Sequence, residues 1–79
     1  MYREIKVTGP FDKETLSILF KKLTLEVGDV LVSRKDERFT VTKIFPVERF
    51  LPDSSRFRDG MAFDMTGSKK GIVFTVYVR

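Results

Sequence analysis

The chain has 79 residues, 15 Lys and Arg against 11 Asp and Glu, and no His, Cys or Trp, which limits it to one small domain of net charge +4. Without Cys there is no disulfide, thiolate nucleophile or zinc–sulfur site, and without His there is no imidazole base or common transition-metal ligand. Hydrophobic residues at 42% and charged residues at 33% match a folded domain rather than a disordered one, and eight Phe with two Tyr supply volume for a core.

Arg3–Thr8 alternates polar and apolar residues and predicts a short strand that Gly9-Pro10 ends. Asp12 then stands where a helix N-cap belongs, with Phe11 and Leu16 at the spacing of a hydrophobic staple. Leu16, Leu19, Phe20 and Leu23 recur at helical spacing, and Lys21 and Lys22 suit the negative end of the helix dipole. A helix over residues 12–23 follows. After it the period changes to two. Val30–Ser33 reads as a strand, Arg34–Glu37 as a charged turn, and Arg38–Phe45 as a second strand of the same hairpin. Phe39 and Val41 share one face; Lys43 breaks the alternation, and a bulge there returns Ile44 or Phe45 to the buried side. The fragment Val27-Gly28-Asp29-Val30 resembles the entry to many small SH3-like and PUA-like barrels.

Pro46 is expected to end the second strand and open a loop running to Gly60. Met61–Met65 and Ile72–Val78 then read as strands joined by a Gly-containing turn. Both faces of the last strand are largely apolar, which predicts an interior position in the sheet. Together these elements predict a single α+β domain over residues 1–79. Its sheet is mostly antiparallel and strongly bent or barrel-like, with about five strands, and its helix follows the first strand.

The chemistry-bearing residues form no recognisable catalytic set. Ser54 and Ser55 have no His to activate them, and Asp36-Glu37, Asp53, Asp59 and Asp64 have no diagnostic spacing. Thr66–Gly71 lacks the Gly-to-Gly-Lys gap of a phosphate loop and leads into a strand rather than a helix. The expectation is a non-enzymatic chain with no cofactor and no bound metal. No apolar run exceeds three residues, far below the about 20 of a membrane span. A cytoplasmic chain with no membrane partner is therefore expected.

Two surfaces remain for binding. Arg49, Phe50, Arg56, Phe57 and Arg58 concentrate within the 46–60 segment, and Arg and aromatics are the types enriched at interface hot spots. Exposed ion pairs contribute little to an isolated fold, so these arginines point to another protein with an acidic surface. The size class includes accessory and inhibitory proteins of phages and mobile elements. The alternative is nucleic acid. Residues 1–24 carry five cations against three anions, and residues 61–79 three against one. Lys6, Lys69 and Lys70, together with the helix, form a phosphate-tracking surface if they converge on one face.

Overall fold

The computed structural model describes residues 3–51, 56–67, 71 and 73–78, with the side chains at 49–51 and 56–59 outside the described set. The elements are β1 (Glu4–Lys6), α1 (Lys13–Leu23), β2 (Val30–Val32), β3 (Arg38–Leu51), β4 (Arg56–Gly67) and β5 (Val73–Val78). The strands form one sheet in the order β1-β2-β3-β4-β5. β1 runs parallel to β2, with α1 as the crossover between them, and β2 to β5 form an antiparallel meander. The α+β class, the five strands and the strand-then-helix order are as expected; the sheet stays open and is not a barrel.

Local chemistry explains the helix ends. Asp12 adopts extended backbone as the N-cap, and its Oδ1 accepts from the Thr15 amide at 2.8 Å. This hydrogen bond also holds the Asp12 carboxyl below the usual carboxylate range. The helix stops at Thr24, whose left-handed backbone (φ 51°) turns the chain so that the Leu25 N–H joins the Thr24 N–H on the Phe20 carbonyl.

Side-chain parity separates the two faces of the sheet. Ile5, Leu31, Val41, Met65, Ile44, Phe63, Val76 and Val78 lie on the face covered by α1, joined by Leu16, Leu19, Phe20 and Leu23 from the helix. Phe63 is fully buried, and its ring stacks on Phe20 with centroids 4.9 Å apart. A second ring group closes one end of this core. Phe39 stacks on Phe11 at 4.8 Å and meets the edge of Phe74 at 5.4 Å. Gly67 lies beside Phe39 in register, and a Cβ there would stand 3.0 Å from the Phe39 ring.

The bulge expected at Lys43 is present: the β3–β4 register shifts between Val41 and Lys43, and Ile44 rejoins the core. Two other expectations fail. Pro46 does not end its strand; it pairs with Met61 inside β3. β2 pairs with β3 only through Thr40, so from Thr42 onward β3 has an open side among the described residues, where a missing N–H is tolerated. The last strand is not interior either. β5 ends the sheet order, and Val73, Phe74 and Tyr77 are exposed while Val76 and Val78 are buried. Its second apolar face lies open where an interior strand was expected to have cover.

Candidate functional site

The segment expected to be a loop is the far end of a long hairpin. Five residue pairs, Val47↔Gly60, Glu48↔Asp59, Arg49↔Arg58, Phe50↔Phe57 and Leu51↔Arg56, continue the β3–β4 ladder. β5 pairs with β4 only from Met61 onward, so these rungs pair with each other alone among the described residues. At about 3.3 Å per residue they make a two-stranded arm roughly 16 Å long. The connecting residues 52–55, with Ser54 and Ser55, lie outside the described residues.

The register sorts the charges of this arm. Residues opposite each other across the ladder share a face, and neighbours along a strand alternate. Positions 49, 51, 56 and 58 therefore share one face, which continues the outer face of the sheet through Val47 and Phe45. Positions 48, 50, 57 and 59 share the other, which continues the helix-covered face. A stretch that is charge-balanced in sequence thus has positions 49, 56 and 58 at register places of one face and positions 48 and 59 at those of the other. Arg49 stands opposite Arg58, and Glu48 opposite Asp59. Like charges directly opposite disfavour a rung, so these two rungs weaken a ladder that Phe50 opposite Phe57 favours.

Beyond the bulge, the outer face adjoining the arm combines aromatic and cationic groups. Ala62 is fully buried between Phe45 on β3 and Tyr77 on β5. The Lys43 ammonium lies 5.1 Å from the centre of the Phe45 ring. Asp64 is next in the same row as Lys43, and its Oδ1 accepts from the Thr75 hydroxyl at 2.6 Å.

The nucleic-acid candidates are arranged differently. Lys6 stands exposed on edge strand β1 and lines an open cleft of about 400 Å³ with Thr8, Ser33, Arg34 and Asp36. Lys69 and Lys70 lie outside the described residues. The row Ile5–Leu31–Phe39–Gly67 puts Gly67, the last described residue before them in sequence, at the same end of the sheet as Lys6, three strand intervals or about 14 Å across. Anions interrupt that end: Asp36 borders the cleft, and Arg38 is paired with Glu4 at 2.8 Å.

Sequence reading missed one polar cluster. Asp29 is buried at 2% exposure beside the helix terminus. Its Oδ2 accepts from Arg3 Nη2 at 2.6 Å and from the Glu26 amide at 2.8 Å, and its Oδ1 accepts from Arg3 Nε at 3.3 Å. Arg3 Nη2 also donates to the carbonyls of Leu23 and Thr24. The Arg3 guanidinium holds the Asp29 carboxyl below its ordinary range, against the opposing effect of burial. The signal was a lone carboxylate in the otherwise apolar run Val27–Val32. This cluster ties β1, α1 and β2 together and is structural.

Among the described residues no group of three or more acidic side chains could hold a metal, and no helix is long and apolar enough to cross a membrane. Comparison of the chain with protein-family models, curated proteins and solved structures finds no match.

Proposed function

We propose that the protein is a non-enzymatic binding module that engages an acidic surface of another protein through the arginine face of the β3–β4 arm. The observation that supports this reading is the register: it sets Arg49 against Arg58, with Arg56 on the same face, at a cost to the isolated ladder. An acidic partner offsets that cost, since Arg forms forked hydrogen bonds to carboxylates. The remaining positions fit a one-sided contact. Positions 48 and 59, both acidic in sequence, share the opposite face, so only the first face suits an acidic partner. Accessory or inhibitory proteins act in this way, by occupying a surface.

The test compares the native chain with Arg49→Ala/Arg56→Ala/Arg58→Ala in nuclease-treated lysate capture and in binding to mixed-sequence DNA and RNA at ~50 mM salt. The triple variant should keep its melting temperature within a few degrees and lose a nuclease-resistant partner. Retained capture would place the contact elsewhere. Native-protein binding to nucleic acid that is lost in the variant would replace the protein partner with nucleic acid.

A further inference from the structure

The two edges of the sheet are built differently. β1 has three residues, two of them charged, and the Glu4–Arg38 ion pair ties it across β2 to β3. β5 has six residues, Val73-Phe74-Thr75-Val76-Tyr77-Val78, with no charge, proline or register shift against β4. Edge strands are normally protected by one of those devices, because an unprotected edge templates the addition of another strand. β5 also leaves apolar groups in water: Val73 is 58% exposed, Phe74 42% and Tyr77 53%.

We infer that β5 is a self-association edge, on which a second copy of this chain adds its own β5 antiparallel about a two-fold axis through Thr75. The strand's own pattern selects this occupant and register. A two-fold axis perpendicular to the sheet keeps each face on its own side, so the residue opposite i must have the same parity. Centring on Thr75 sets Val73 opposite Tyr77 of the second copy, twice, and Thr75 opposite Thr75. On the other face it sets Phe74 opposite Val76, twice. Aromatic–β-branched and Thr–Thr pairs are the favourable cross-strand combinations. Centring on Val76 instead sets Val73 against Arg79 and loses both Val–Tyr pairs. No charged residue of either strand is buried in the chosen register, and every exposed apolar residue of β5 gains an apolar partner.

Two six-residue edges make a contact below the about 800 Å² per partner of a standard stable interface, so the dimer is concentration-dependent. Its salt dependence is distinctive. Lys69-Lys70 and Arg79 flank the strand in sequence, and an antiparallel self-pair brings these like charges to common ends, so added salt strengthens association. Binding through the arginine arm weakens with salt. The two contacts are therefore separable, and failure of either leaves the other standing.

Sedimentation of the native chain over a dilution series should show mass rising towards, and stopping at, twice the monomer. Val73→Lys, at an exposed edge position, should keep the native melt and weaken association about tenfold through the two lost Val–Tyr pairs. Because the chain has no cysteine, Thr75→Cys, at a half-buried edge position, should oxidise to a covalent dimer far faster than Lys43→Cys, whose site is the more exposed. A mixture of Val73→Cys and Tyr77→Cys chains should form the mixed disulfide in preference to either symmetric one. A monomer at every concentration, growth beyond a dimer, equal association of the Val73→Lys chain, or equal oxidation rates at 75 and 43 would each overturn the inference.

Discussion

Asp29→Ala should be among the most damaging polar substitutions in the chain. The carboxylate is buried and accepts from the Glu26 amide and from two nitrogens of the Arg3 guanidinium. Hydrogen bonds to a charged group contribute about 1.5–3 kcal/mol each. Arg3 is half exposed, so its share is reduced by solvent screening. The expected loss is about 3–4 kcal/mol, against a total of about 4–12 kcal/mol for a chain of this length. Asp29→Asn keeps the shape but turns an amide donor towards Arg3 or the Glu26 N–H, and should cost about 2 kcal/mol. The assay is urea unfolding followed by circular dichroism, at neutral pH and on acidification. The folded Asp29 and Asp12 carboxyls both lie below their ordinary values. Below an unfolded value of about 3.9 the unfolded chain binds more protons, so stability present above that pH is lost as pH falls through the folded values. Asp29→Asn should therefore flatten the acid limb, leaving the Asp12 contribution. A loss under about 1 kcal/mol for Asp29→Ala, or an unchanged acid limb for Asp29→Asn, would refute the structural role assigned to this cluster.

Other substitutions check the packing. Phe63→Ala removes a fully buried ring stacked on Phe20 and should cost about 3–5 kcal/mol, enough to unfold much of the population. Phe74→Ala, on the exposed edge, should cost only about 1–2 kcal/mol by the same unfolding measurement. Thr24→Gly should raise stability by about 0.5–1 kcal/mol, because a β-branched residue at φ 51° gives way to one that adopts the left-handed conformation without strain; a lower melting temperature would contradict this.

Local signals carried far along this chain. Asp12, the Leu16–Leu23 spacing and the break at Lys43 determined the helix, its cap and the bulge, because each depends on neighbours within one turn or two rungs. The same signals misjudged Pro46 and β5. A proline stops a strand only when its missing N–H is needed, and that depended on how far β2 extends beside β3. An all-apolar strand signals an interior place in the sheet, yet which strand ends the order is settled by long-range pairing. Composition marked Arg49, Arg56 and Arg58 as a group, but the mixture of signs in residues 46–60 concealed their common face. Only the β3–β4 register decided that, since side chains alternate every residue and a slip of one rung would have set arginine against acid instead. Asp29 and Arg3 are 26 residues apart, and the ion pair between them exists because the parallel pairing of β1 with β2 brings their starts together at the helix terminus.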